Sequence, residues 1–82
     1  MVSFVSRSEV RSNVLEAVVR TPRTPSEIAS MSNKHVSHVS RALAELRVQG
    51  LVEPVRTSSR QRYYRATDLG FLMAATFMKS VR

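Results

Sequence analysis

One stretch of the sequence decides the fold: Ser32-Asn-Lys-His-Val-Ser-His-Val-Ser-Arg-Ala-Leu-Ala-Glu-Leu-Arg-Val-Gln-Gly50. Its large apolar residues recur at helical steps and so share one face of a helix: Val36, Val39, Leu43 and Leu46. This spacing predicts an amphipathic helix over residues 33–49, with Ser32 or Asn33 as its N-cap. Gly50 is suited to end the helix, because glycine adopts a left-handed conformation without a steric penalty.

The opposite face of this helix is polar and positively charged. Its side chains can all donate hydrogen bonds: Lys34, Ser37, His38 and Arg41, with His35 and Ser40 at the flanks. The stretch has no carboxylate before Glu45, so its first turns offer donors and positive charge to a partner. We interpret it as a recognition helix for the major groove of DNA.

Arg41 is the residue expected to read a base, because a guanidinium can bind guanine O6 and N7 with two hydrogen bonds. A phosphate contact and an ion pair with Glu45, one turn further along the helix, are the alternatives. Lys34 lies near the helix start and is expected to contact a phosphate, which fixes register without reading sequence.

Composition is consistent with a polyanionic partner. The chain has 82 residues, 43% of them hydrophobic, which is enough for one small domain over residues 1–82 with a modest core. Thirteen Lys and Arg against six Asp and Glu give a formal net charge of +7. Such an excess favours DNA, RNA or an anionic membrane surface as the partner, although a basic protein without such a partner is also possible.

Several classes of protein are disfavoured by the sequence. No cysteine is present, which excludes disulfides and thiolate metal sensing. No apolar run approaches the ~20 residues that span a bilayer, and the N-terminus does not resemble a signal peptide, so a cytoplasmic, nucleoid-associated protein without membrane contact is expected. His35 and His38 have a spacing that could hold a metal, but no further ligand is nearby and no cofactor is expected. No catalytic constellation is visible, so the chain is not expected to be an enzyme.

Two shorter helices are predicted before the recognition helix. The first covers residues 8–20, with Ser8 as N-cap and Glu9 in its first turn. The second covers residues 25–31 and is introduced by Thr24-Pro-Ser-Glu27, a capping box with proline at the first helical position. It is expected to bury Ile28, Ala29 and Met31. A short helix, a tight turn and a longer helix form a helix-turn-helix, although such pairs also occur in other small α domains.

A hairpin is predicted after Gly50, over residues 51–67. Pro54 marks its first strand as an edge or bulged strand, and Tyr64 is the tyrosine expected to point inward. Its cationic residues have no carboxylate between Glu53 and Asp68 to neutralise them: Arg56, Arg60, Arg62 and Arg65. They indicate an anionic partner, with a merely solvated basic hairpin as the alternative.

The last helix is predicted over residues 68–81, with Thr67 as its cap. It is apolar nearly all round, which is more than one small domain can cover. We therefore expect it to dimerise, with a helix enclosed by its own domain as the alternative. The residues expected at the dimer interface are Leu69, Phe71, Leu72, Ala75, Phe77 and Met78.

This order of elements resembles the winged helix-turn-helix family of prokaryotic transcriptional regulators over roughly residues 8–70. The segments that carry the resemblance are Thr24-Pro-Ser-Glu-Ile-Ala29, His38-Val-Ser-Arg-Ala-Leu43, Leu46-Arg-Val-Gln-Gly-Leu-Val52 and Arg62-Tyr-Tyr-Arg-Ala-Thr-Asp-Leu-Gly70. The pattern looks most like small archaeal regulators, and is similar to the wider group of arsenic-responsive and multiple-antibiotic-resistance repressors.

The resemblance implies a mainly α fold with a small β-hairpin wing, and a DNA-binding homodimer. It places groove and phosphate contacts at Ser37, His38, Ser40 and Arg41, wing contacts at Arg60 and Arg62, and a phosphate contact at Ser26. The absence of cysteine departs from the metal-sensing branch, and an effector ligand is not expected.

The hypothesis from sequence is therefore a sequence-specific regulator that binds double-stranded DNA as a dimer. Two recognition helices would then occupy successive major grooves about 34 Å apart. Two alternatives remain open at this point: a DNA-packaging protein without sequence preference, and a winged-helix module for protein assembly whose basic face meets an acidic protein.

Overall fold

A computed structural model describes residues 4–5, 8–58 and 60–80, with side chains as far as residue 76. The described elements follow one another as α1 (Glu9–Val19), α2 (Pro25–Ser32), α3 (Val36–Val48), β1 (Val52–Val55), β2 (Tyr63–Ala66) and α4 (Asp68–Ser80). The mainly α fold with a hairpin wing is confirmed. No helix among the described residues is long and apolar enough to cross a membrane.

Local capping fixes the starts of the first two helices as the sequence predicts. The hydroxyl of Ser8 accepts a hydrogen bond from the amide of Arg11 at 3.2 Å. At α2 the capping box is complete, since the amide of Glu27 donates to Thr24 Oγ1 at 3.2 Å and the amide of Thr24 donates to Glu27 Oε1 at 2.9 Å. These bonds satisfy amides that the helices themselves leave without partners.

The start of α3 differs from the prediction. The helix begins at Val36 rather than at residue 33, and His35 is its N-cap, with Nδ1 accepting from the amide of Ser37 at 3.2 Å. Neither Ser32 nor Asn33 is the cap, because Ser32 is the last residue of α2 and Asn33 ends it in the left-handed conformation at φ 54°. Asparagine tolerates that conformation better than most residues, so the turn forms there and the next helix starts later.

The hairpin pairs β1 with β2 in antiparallel register, with Val52 opposite Ala66 and Pro54 opposite Tyr64. On its other side, Tyr64 exchanges both backbone hydrogen bonds with Arg23, at 2.9 and 3.0 Å. The amide and carbonyl of Tyr64 both bond to Arg23, so Tyr64 does not need a backbone N–H from Pro54, the residue opposite it in β1. The edge strand predicted from Pro54 therefore costs the sheet no hydrogen bond.

The core lies between the three helices of the first half and the base of the hairpin. Its fully buried side chains include Leu15, Ile28, Leu43, Leu46 and Leu51. Tyr64 packs against this core, as predicted from strand alternation.

Two residues expected to be buried are exposed. Val36, the first residue of α3, is 42% exposed, and Ala42 at 3% is part of the buried face instead. Met31 is 55% exposed, so Ile28 carries the buried face of α2.

The junction between the hairpin and α4 is tight. Thr67 donates its amide to Leu51 O at 3.0 Å, and its hydroxyl accepts from the amide of Gly70 at 3.0 Å. Gly70 is buried directly against the backbone of Leu51, so that a Cβ at this position would overlap Leu51 O and lie 2.9 Å from Leu51 C. Only glycine permits this approach of α4 to the chain that leaves α3.

Candidate nucleic-acid interface

The exposed face of α3 lies opposite its buried stripe. At 100° per residue, its outermost positions are Ser37, Arg41, Ala44 and Val48. The side chain of Arg41 is 82% exposed and Val48 is 83% exposed. These residues would enter a groove first, and none of them is acidic.

One flank of this face turns toward the start of α1. His38, Arg41 and Glu45 line a cleft there, together with Ser8 and Val10. Glu45 Oε1 accepts a hydrogen bond from Arg11 Nε at 3.1 Å, while its Oε2 lies 3.9 Å from Arg41 Nε. The ion pair that was the alternative role for Arg41 is therefore present only as a long contact.

The two histidines lie at the start of α3, with ring centroids 6.1 Å apart. His35 Nδ1 is engaged with the amide and hydroxyl of Ser37, so this atom caps the start of α3. Within the described residues, no group of three or more His, Cys, Asp or Glu side chains comes together in a way that could hold a metal ion.

Two further residues predicted to contact phosphates, Lys34 and Ser26, lie before α3. Lys34 lies in the turn before α3 rather than on the helix, and its Nζ pairs with Glu9 Oε1 at 3.1 Å. Its side chain is 26% exposed, against 77% for that of Glu9. Ser26 is exposed in the first turn of α2, where a phosphate could reach it.

The other flank of the α3 face turns toward the wing. A groove of about 570 Å³ separates them, lined by Ser40, Ala44, Arg47, Val48, Arg62 and Tyr64. A second groove of about 400 Å³ adjoins it, lined by Arg47, Pro54, Val55, Arg56 and Arg62. Arg56 and Arg62 thus lie beside Arg47 of α3, a residue that was not among those predicted to contact DNA.

These three arginines are the least neutralised cations beside α3. Arg47, Arg56 and Arg62 are exposed and form no ion pair with any residue that the structure describes. Arg60 is also exposed and lies further out, in the connection between the strands. Arg65, in contrast, lies on the opposite face of β2 and pairs with Glu53 at 2.9 Å.

The pattern that could have identified Arg47 is helical spacing. Ser40, Ala44 and Arg47 follow at steps of four and three, so Arg47 shares a side of the helix with a residue already selected. The contact to the wing, however, follows only from the way the hairpin folds back along α3.

The exposed side of α4 is apolar. Leu69, Phe71 and Leu72 are 41%, 54% and 63% exposed, and Ala75 is exposed too, whereas Ala74 is buried in the core. The remaining residues predicted for dimerisation, Phe77 and Met78, have side chains outside the described part of the structure. Large apolar side chains grouped in this way are typical of an association surface.

A helix-turn-helix followed by a two-stranded wing defines the winged helix class of proteins. The chain matches a family model described as the HVO_A0261 N-terminal domain over residues 1–82, and it belongs to that family. No curated protein matches it.

Solved structures with the same fold come from bacterial transcription regulators. The adhesin competence repressor AdcR of Streptococcus pyogenes aligns with a TM-score of 0.82 at 17% identity, covering 89% of this chain and 56% of that one. PcaV of Streptomyces coelicolor, in complex with its natural ligand, aligns at 0.82 and 19% identity, covering 90% and 55%. A variant of MepR from Staphylococcus aureus bound to an oligodeoxyribonucleotide aligns at 0.80 and 16% identity, covering 90% and 57%. The present chain thus spans little more than half the length of these proteins.

Proposed function

We propose that this protein is a transcription regulator that binds double-stranded DNA, with α3 in the major groove and the wing on the adjoining backbone or minor groove. The observation that carries the proposal is the surface from α3 to the wing, where three arginines lack an ion pair with any described residue: Arg47 and Arg62 line both grooves, and Arg56 lines the second. The net charge of +7 and the oligonucleotide bound to the MepR variant of the same fold support it.

The contacts of each side chain indicate its role in this proposal. Arg41 is exposed and loosely held, so it is free to read a base, while Ser37, Ser40 and His38 supply shorter donors beside it. Ser26, Lys34 and His35 are assigned to phosphates at the start of the helices. Lys34 must leave Glu9 to do so, which costs little because the Glu9 side chain is 77% exposed and its attraction to Lys34 is screened by solvent.

A selection from random duplex DNA tests the proposal. We expect the wild-type chain to enrich one pseudo-palindromic site, and Arg41→Ala to lose about 1–3 kcal/mol on that site while random duplex is bound almost as before. The reason is that a base contact contributes to discrimination, whereas phosphate contacts contribute to affinity for any sequence.

Arg65→Ala serves as the matched control, because Arg65 lies on the outer face of the hairpin and is paired with Glu53. Enrichment of no site at all, with retained binding, would identify a packaging protein instead. Failure to bind duplex DNA at physiological salt would favour a protein-assembly module.

We also propose that the protein is a homodimer through α4, because Leu69, Phe71 and Leu72 leave an apolar surface exposed on this helix. Leu72→Glu is expected to convert it to a monomer, since a charge cannot be buried unpaired in an apolar interface. Sedimentation equilibrium measures the change. Met31→Glu is the control, because Met31 is similarly exposed but lies on α2. Equal masses for the wild type and Leu72→Glu would contradict the proposal.

A further inference from the structure

Arg11, on α1, makes an unusual set of contacts for a residue outside the exposed face of α3. Its Nε donates to Glu45 Oε1 at 3.1 Å and its Nη1 donates to the carbonyl of Phe4 at 3.0 Å. Its guanidinium carbon also lies 4.0 Å above the centre of the Phe4 ring, a cation–π arrangement. The side chain is 22% exposed, and its guanidinium is held between Glu45 and Phe4.

The carboxylate that Arg11 binds is the only one in α3. Glu45 lies one helical turn beyond Arg41, and its second oxygen is 3.9 Å from Arg41 Nε. Two arginines therefore compete for one carboxylate, and the shorter, less exposed contact belongs to Arg11. Among the described residues, Glu45 forms ion pairs only with Arg11 and Arg41. If Arg11 were removed, Arg41 would be its remaining cationic partner.

We propose that Arg11 is a positioning residue for DNA recognition, which holds Glu45 toward α1 and so leaves the guanidinium of Arg41 free for the major groove. The inference rests on the proposed DNA-binding function. Arg11 itself lies on α1 and is not one of the proposed DNA contacts. It acts through the carboxylate that would otherwise pair with Arg41 and repel phosphates.

The mechanism predicts that removing Glu45 cancels the effect of removing Arg11. We expect Arg11→Met to lose about fivefold in affinity for the duplex selected by the wild-type chain, the lower end of what a base contact contributes. Glu45→Gln alone should bind at least as tightly as the wild type. The double variant Arg11→Met/Glu45→Gln should bind within about twofold of Glu45→Gln, since coupling of this kind is what a double-mutant cycle isolates.

Fluorescence anisotropy with the selected duplex measures all four proteins, and circular dichroism confirms that each is folded at the assay temperature. A double variant that stays as weak as Arg11→Met would overturn the inference, because the loss would then not act through Glu45. If Arg11→Met does not fold, Arg11→Gln replaces it, since glutamine removes the charge that holds Glu45 but keeps side-chain hydrogen-bond donors.

The inference and the proposed function fail in different ways. A wild-type chain that binds no duplex DNA refutes the proposed function. A wild-type chain that binds its selected site, together with an Arg11→Met variant that Glu45→Gln does not rescue, refutes only the role of Arg11.

Discussion

Replacing Arg47, Arg56 and Arg62 together by glutamine is expected to weaken duplex DNA binding by about three orders of magnitude, at roughly 1.5 kcal/mol for each charged hydrogen bond. The three side chains line the adjoining grooves between α3 and the wing and have no ion-pair partner among the described residues. They are therefore available to phosphates. Because they would act on the backbone, the loss should be similar for the preferred site and for random sequence.

The salt dependence of binding distinguishes this explanation from a loss of folding. The slope of log K against log salt should fall by about 0.9 for each phosphate contact removed, or about 2.7 for the triple variant. Arg65→Gln is the matched control: it removes one arginine from the same hairpin, but one that is already paired with Glu53. If the slope does not change in the triple variant, the DNA backbone does not lie in the grooves beside α3.

Gly70→Ala is expected to destabilise the fold by about 3 kcal/mol, near the upper end for overpacking. In an ordinary helix the same change would stabilise by roughly 0.5–1 kcal/mol, so even the sign of the effect tests the structure. Here the added Cβ would overlap the carbonyl oxygen of Leu51, which is backbone and cannot rotate away. Thermal unfolding followed by circular dichroism should show a Tm lower by about 12–24 °C, at about 4–8 °C per kcal/mol for a domain of this size.

Gly50→Ala provides the comparison for this change. Gly50 has φ +76° with open space around it, so alanine there meets only the left-handed backbone penalty of about 1–2 kcal/mol. Gly70→Ala should thus be the more damaging of the two. A Gly70→Ala protein as stable as the wild type would mean that α4 does not approach Leu51 as closely as described.

The parts of the fold that sequence predicts are those whose signals are local. The capping box from Thr24 to Glu27 combines a hydroxyl, a proline and a carboxylate at fixed spacing, and the structure contains both of its hydrogen bonds. The inward orientation of Tyr64 follows from the alternation of side chains along a strand. Pro54 predicts an edge strand because proline has no backbone N–H to donate.

The parts that sequence missed depend on contacts between distant segments. The pairing of Arg23 with Tyr64 joins residues with no recognisable pattern between them. One local feature was also missed: Asn33 adopts the left-handed conformation, so α3 starts only at Val36, and Val36 is exposed in its first turn.

The candidate site divides in the same way. Periodicity identified Ser37, His38 and Arg41 on the polar face of α3 with Ser40 at its flank, and all four are exposed in the structure. It could not show that Lys34 is paired with Glu9, because that partner is supplied by α1. Nor could it show that Arg47 faces the wing.

The two hydrogen bonds between Arg23 and Tyr64 have a consequence for how the protein would meet DNA. They attach β2 to the segment that leads into α2, so the wing is joined to the helix-turn-helix by these bonds as well as by its chain connection to α3. We therefore expect the base of the wing to keep its position relative to α3 when a partner binds. The wing and α3 would then fit a groove of one width, and little conformational entropy would be lost on binding.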